Sequence, residues 1–151
     1  MDFRTHMDAA LDEARAAADR GETPVGAVIV DPATNTIIAR DGNRVRELHD
    51  PTAHAEILVI RAAAQARQSE RLNGLDLYVT LEPCPACAAS IAAARIARLY
   101  YGASDPKSGG VEQGPRIFAH SQCHHRPEIY PGISEPASAQ LLRDFFAKRR
   151  G

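Results

Sequence analysis

An α/β sandwich, a mixed sheet covered by helices, is the fold class this sequence predicts. Two observations point there. Apolar residues recur at helical spacing in several segments, and between these lie short β-branched or aromatic runs bounded by turn residues. A third is size: 151 residues, 44% hydrophobic and 25% charged, are the makings of one domain. Such a chain buries roughly two thirds of its unfolded surface without help.

The elements follow in order. Residues 3 to 19 read as a helix, with Met7, Ala10, Leu11, Ala14 and Ala17 on one stripe and Asp8, Asp12 and Arg15 between them; Gly21 is the stop. Val25 to Val30 and Thr36 to Ala39 are apolar runs joined by Asp31-Pro32-Ala33-Thr34-Asn35, a hairpin signature closed by Asp41-Gly42-Asn43. Residues 53 to 68 form a second helix on the Ala53, Ile57, Ile60, Ala64 stripe, with Asp50 and Thr52 offering N-cap oxygens. Leu75 to Leu81 is a strand after Asn73-Gly74, Pro85 to Ala94 an alanine-rich helix, and Ile96 to Gly102 another strand. A loop runs from Ser104 to Gly110, residues 111 to 127 read as a short helix and a loop, Glu128 to Ile133 as a last strand, and Ala137 to Arg149 as a closing helix with Leu141, Leu142, Phe145 and Phe146 inward. No repeat or linker divides the chain, so one domain spanning 1–151 is expected.

Composition excludes several classes. The apolar fraction rules out disorder, and no apolar run reaches the roughly 18 residues a membrane span needs. Charges from Asp2 and Arg4 onward and no apolar core predict no secretory signal. Three cysteines are too few for a disulfide scaffold and suit a reducing cytoplasm, with thiols left for metal or catalysis. Net charge is −1, from 18 Lys+Arg against 19 Asp+Glu, so a nucleic acid needs a local cationic patch. Lys148, Arg149 and Arg150 form one, although cations also suit a helix C-terminus.

Two short motifs carry the chemistry: His54-Ala55-Glu56 at the start of the second helix, and Pro83-Cys84-Pro85-Ala86-Cys87 at the start of the third. Cys84 and Cys87, at i and i+3, can aim both sulfurs at one point beyond the helix end, where the dipole favours thiolates. Along a regular helix His54 and Glu56 lie about 200° apart, an objection that weakens when a metal sits off the helix end. One imidazole and two thiolates make three ligands. A catalytic zinc keeps its fourth position for water, whose pKa falls to about 7, and Glu56 is placed to take and deliver that proton. Alternatives stand beside this. Cys84-Pro85-Ala86-Cys87 alone suits a redox pair equally well, and His49, Cys123 or His124 could close a four-ligand structural site. Cys123-His124-His125, with His120, suggests a second metal cluster but reads more simply as loop residues.

His54, Glu56, Pro83, Cys84 and Cys87 together match the H-x-E…P-C-x-x-C signature of zinc deaminases. With Pro24-Val25-Gly26-Ala27-Val28, Gly42-Asn43-Arg44, Leu77-Tyr78-Val79-Thr80-Leu81-Glu82 and Leu142-Arg143-Asp144-Phe145-Phe146, the chain resembles the bacterial tRNA-specific adenosine deaminases of the cytidine deaminase-like superfamily. That resemblance implies a three-layer α/β/α sandwich on a five-stranded mixed sheet and a homodimer. It implies one Zn2+ per subunit on His54, Cys84 and Cys87, and Glu56 as proton shuttle while hydroxide formed at the metal attacks the ring carbon. The reaction would turn adenosine into inosine at the wobble position of a tRNA anticodon, an arginine tRNA being expected. Asn43, Val25, Ala55 and Leu81 would surround the base, and Asp105, Lys107, Phe145 and Arg149 would touch the anticodon stem-loop. An anticodon loop offers bases already unpaired for entry into such a pocket. A free base or nucleoside, such as guanine or cytosine, is the alternative substrate.

Overall fold

The structure, a computed structural model, describes residues 3–150. Met1, Asp2 and Gly151, at the ends of the predicted domain, lie outside the described residues, as do the side chains of Phe3 and Arg150. The apolar runs become strands β1 (Gly26–Asp31), β2 (Thr36–Gly42), β3 (Asp76–Leu81), β4 (Arg98–Ala103) and β5 (Glu128–Tyr130). They form one sheet in the order β2-β1-β3-β4-β5. β1 pairs antiparallel with β2 and β3, whereas β3–β4 and β4–β5 are parallel, so the sheet is mixed. Parallel β3 and β4 need a crossover, which the helix between them supplies.

Helices α1 (Phe3–Asp19) and α4 (Glu135–Arg150) cover one face, and α2 (Ala55–Arg67) and α3 (Pro85–Ala93) the other. The predicted three-layer α/β/α sandwich is therefore what forms. Alternation along the central strands divides the core. Ala27, Ile29, Leu77, Val79 and Leu99 pack under α2 and α3, with Val59, Ala88 and Ile91. Val28, Val30, Tyr78 and Tyr100 pack under α1, with Met7, Ala10 and Leu11. Tyr78, Tyr100 and Tyr130 share one row across β3, β4 and β5 and stack, ring centroids 4.3 and 4.9 Å apart.

α1 lies so close to β1 that a Cβ on Gly26 would stand 2.0 Å from the Ala10 carbonyl oxygen and 2.5 Å from the Ala14 nitrogen. Backbone cannot yield as a flexible side chain can. Gly26→Ala is expected to lower stability by at least about 2–3 kcal/mol, read as a shift in urea midpoint at constant slope.

Several local expectations differ: β2 runs on to Gly42, past Ala39, and α2 begins at Ala55, two residues later than expected. β5 ends at Tyr130, not Ile133. The short helix expected within 111–127 is a 3-10 turn at Ile117–Ala119, with loop on either side. α4 begins two residues earlier, at Glu135. Asp50 and Thr52 do not cap α2: Asp50 Oδ1 accepts from Thr52 instead, and His54 is the N-cap.

Candidate active site

The first turns of α2 and α3 meet beyond the C-terminal end of β3. His54 and Cys84 are the N-cap residues, both extended, with φ −73° and −70°, and neither side chain caps its own helix. Pro85 occupies the first turn of α3, where its missing N–H is harmless. The cap of α2 comes from across the hairpin: Asn43 Oδ1 accepts the Ala55 N–H at 2.8 Å. His54, lying before the helix, escapes the angular separation that a regular helix would impose on it and Glu56. Imidazole and sulfur are thus left free. His54 Nδ1 stands 3.4 Å from Cys87 Sγ and 3.8 Å from Cys84 Sγ.

These three side chains form the one group among the described residues able to hold a metal ion, their donor atoms all within 4.8 Å of one another. The spacing fits zinc. Zinc–nitrogen and zinc–sulfur lengths at a tetrahedral angle put each N···S edge at about 3.6 Å, between the two observed distances. Electrostatics agree. The Cys87 thiol and the His54 imidazole hydrogen-bond to Cys84 and hold its pKa down at about 4. The same bond to Cys84, then burial, pushes the Cys87 thiol up, and the hydrogen bond to Cys84 raises His54. A thiolate beside an imidazole and a second thiol is a donor set of the kind zinc takes up. Glu56 is buried beside them, within hydrogen-bond reach of Cys87, and burial pushes its carboxyl up to about 7.

A cavity of about 340 Å³ opens on this group. Of the expected pocket residues, Val25, Asn43, Leu81, Asp105 and Arg149 line it together with His54, Glu56 and Cys84. Ala55 does not; it is fully buried, with its N–H on Asn43. A groove of about 660 Å³ adjoins the cavity past Asp105, Lys107, Ser108 and Arg149. Phe146 lines that groove and is 45% exposed. Phe145, expected at the anticodon loop, stands edge-on to Phe146 at 5.4 Å with the Arg149 guanidinium over it at 5.2 Å.

Residues 2–103 match the family described as "Cytidine and deoxycytidylate deaminase zinc-binding region". A tRNA-specific adenosine deaminase of Agrobacterium fabrum is 59% identical over 148 residues, covering 97% of this chain and 96% of that protein. One from Rickettsia felis is 48% identical over 95% of this chain and 100% of that protein. The chain belongs to the tRNA-specific adenosine deaminase family, within the cytidine and deoxycytidylate deaminases. A solved structure from work on A-to-I editing by tRNA:A34 deaminases superposes with a TM-score of 0.89, at 58% identity, over 91% of this chain and 99% of that one. A guanine deaminase from Nitrosomonas europaea shares the fold, with a TM-score of 0.85 at 20% identity over 97% of this chain and 85% of that one.

Besides Thr23, Val45, Arg46 and Ser108, two buried carboxylates of this deaminase pocket escaped the sequence reading as site residues. Glu22 and Glu82 line the cavity, yet each is 2% exposed. Glu22 accepts the N–H groups of Arg46 and Glu47 at 3.1 and 2.9 Å, pinning the chain that follows Asn43. Burial pushes Glu82 up, but the N–H groups of Asp105, Gln113, Glu112 and Val111 outweigh it and hold the carboxyl below its ordinary value. Only the placement of Glu82 beside Pro83-Cys84 hinted at a role; a lone carboxylate before a strand, as Glu22 is, carries no pattern. The second histidine cluster is structural. Cys123 Sγ donates to the His125 carbonyl at 3.1 Å, His125 Nε2 to the Ile96 carbonyl at 2.7 Å, and His120 Nε2 to the Pro115 carbonyl at 2.7 Å. Neither Cys123, His124 nor His49 joins the metal-binding group. Cys123→Ser is expected to leave metal content unchanged and to shift the melting temperature by no more than about 4 °C, checked by elemental analysis and calorimetry.

Proposed function

We propose that this chain hydrolyses adenosine to inosine at the wobble position of a tRNA anticodon, an arginine tRNA, using zinc held by His54, Cys84 and Cys87. The observation that carries the reading is the convergence of that donor set, the buried carboxyl of Glu56 and the amide of Asn43 on one cavity that continues into a larger groove. A free base would fill the first and leave the second empty. The identity with tRNA-specific adenosine deaminases across nearly the whole chain supports RNA as the substrate.

Zinc, when bound there, supplies Lewis acidity that brings the pKa of a water to about 7. The chain's own residues do the rest. Asn43 Oδ1 is committed to the Ala55 N–H, so its amide NH2 remains to donate to the base and hold it in register. Val25 packs on the ring, and Leu81 borders it. Glu56 accepts the proton of the attacking water, passes it to the ring nitrogen, and carries a proton to the departing ammonia. A carboxyl near 7 serves both directions. Adenosine and water give inosine and ammonia. Asp105, Lys107, Phe145 and Arg149 meet the anticodon loop, with Phe146 as an exposed stacking surface in the groove.

The free-base reading fares worse on a specific point. Besides Glu56, the fully buried carboxylates at the cavity, Glu22 and Glu82, are both taken by backbone N–H groups. Neither is available for the amidine edge of guanine. The homodimer belongs on the α2–α3 face, where Ile57, Ile60, Arg61, Ala86 and Ser90 line a shallow groove of about 390 Å³ leading to His54. No helix of the described residues is long and apolar enough to cross a membrane, and a tRNA substrate places the enzyme in the cytoplasm.

Incubation with an arginine tRNA anticodon stem-loop, beside guanine, cytosine, adenosine and cytidine, tests the reading. Equal yields of inosine and ammonia from the stem-loop alone are expected. Turnover of a free base with the RNA untouched would reverse the assignment.

A further inference from the structure

We propose that Glu82 is a positioning residue, whose buried carboxylate fixes the 104–113 loop as the RNA-facing wall of the site. The inference rests on the function proposed above and goes beyond it by assigning a residue outside the reacting groups. Glu82 Oε1 accepts from Ser104 Oγ at 3.2 Å and from the Asp105 N–H at 3.0 Å. Its Oε2 accepts the N–H groups of Val111, Glu112 and Gln113 at 3.1, 2.9 and 3.0 Å. One carboxylate thus gathers both ends of a loop that has no regular structure of its own between β4 and the 3-10 turn.

The rest of the loop is built around that carboxylate. The Gln113 side-chain amide donates to Ser104 Oγ at 3.1 Å, closing the ring of contacts. The Gly110 N–H donates to the Pro83 carbonyl at 2.8 Å, tying the loop to the residue before Cys84. Close approach demands the glycines: a Cβ on Gly109 would stand 2.6 Å from Glu82 Cδ, and one on Gly110 would stand 2.5 Å from the Pro85 nitrogen. Between the two anchored ends, Asp105 Oδ1 accepts the N–H groups of Lys107 and Ser108 and folds the turn outward. That turn carries Asp105 and Ser108 at the cavity and Lys107 in the adjoining groove.

The charge matters as well as the shape. A carboxylate accepts at both oxygens, whereas a glutamine amide accepts at one and presents N–H groups at the other. Either orientation of a glutamine sets donors against the backbone donors of one loop end. Glu82→Gln therefore frees that end while removing no atom from the core. His54, Glu56 and Cys87 come from α2 and α3 and stay in place.

Steady-state kinetics on the arginine anticodon stem-loop test this, with zinc-loaded wild type and Glu82→Gln compared. The expected result is one zinc per chain in both, KM raised about ten-fold or more and kcat within about three-fold. Faster tryptic cleavage after Lys107 should accompany the rise in KM. A generally weakened fold would lower the melting temperature without that split. Ser104→Ala, which removes one exposed donor, serves if Glu82→Gln does not fold: KM should rise about two-fold, with kcat unchanged. An unchanged KM in the variant that folds, or a fall in kcat with loss of zinc, would overturn the role of Glu82. A wild type inactive on the stem-loop would instead overturn the proposed substrate.

Discussion

Glu56→Ala is expected to bind one zinc per chain and melt within a few degrees of wild type, yet lose deamination by about 10³-fold or more. The asymmetry follows from where the residue sits. Its carboxyl is no member of the three-donor group, so metal retention does not depend on it. It is buried, and burial pushes it to about 7. Its removal therefore takes away a polar group that the interior holds at a disadvantage, and opens a small cavity beside Cys87; the two effects oppose each other. Catalysis has no such compensation. In the proposed mechanism the same group moves one proton from water to the ring nitrogen and a second to the departing ammonia, and one positioned acid–base residue contributes about 10²–10⁴-fold. Single-turnover inosine formation, zinc content and calorimetry on the same preparation separate these quantities. Loss of zinc in this variant would contradict the role of Glu56.

Cys87→Ala should do the reverse of preserving the site: zinc is lost, activity disappears and the fold weakens. Cys87 is 1% exposed and sits within the first turn of α3, between the core and His54. Without it, two donors remain, and the Cys84 thiolate keeps neither the thiol that donates to it nor the cation it serves. Metal binding to the folded state alone stabilises by mass action, about 4 kcal/mol when free zinc is a thousand-fold above its dissociation constant. At about 2–4 °C per kcal/mol for a chain of this size, the melting temperature should fall by about 8–16 °C. The core under α2 and α3 is otherwise complete, so a folded, metal-free protein is the expected product and not an unfolded one. Chelation of the wild type should move its melting temperature to that of the variant; a chelated wild type melting as the zinc form does would contradict the coupling.

Where sequence order carries the physics, the fold and site were legible. Continuous apolar runs bounded by turn residues gave the strands to within a few residues, because a sheet covered on both faces buries successive residues of Val25–Val30 and Leu75–Leu81 alike. His54, Glu56, Cys84 and Cys87 were legible because a metal site at two helix starts has fixed local spacing. What the sequence hid is assembled across long separations. The α2 cap was assigned to the adjacent Asp50 and Thr52, while Asn43, twelve residues upstream, reaches it through the hairpin. Phe146 is the ring that helix geometry turns into the groove, edge-on to Phe145, and no pattern in the sequence singled it out for that place. Glu22 and Glu82 carry no role in the sequence pattern, since nothing local announces that a carboxylate will meet backbone N–H groups 25 or 29 residues away. Cys123-His124-His125 imitates a metal motif, but Cys123 and His125 are spent on backbone carbonyls and His124 is exposed.

Anomalous diffraction at the zinc absorption edge, from crystals of the zinc-loaded protein, is the most direct test of the site on which the chemistry depends. One peak per chain is expected, touching His54 Nδ1, Cys84 Sγ and Cys87 Sγ, with the remaining position open to solvent on the side of Glu56. A fourth protein donor closing that position, or a metal bound away from these three side chains, would contradict it.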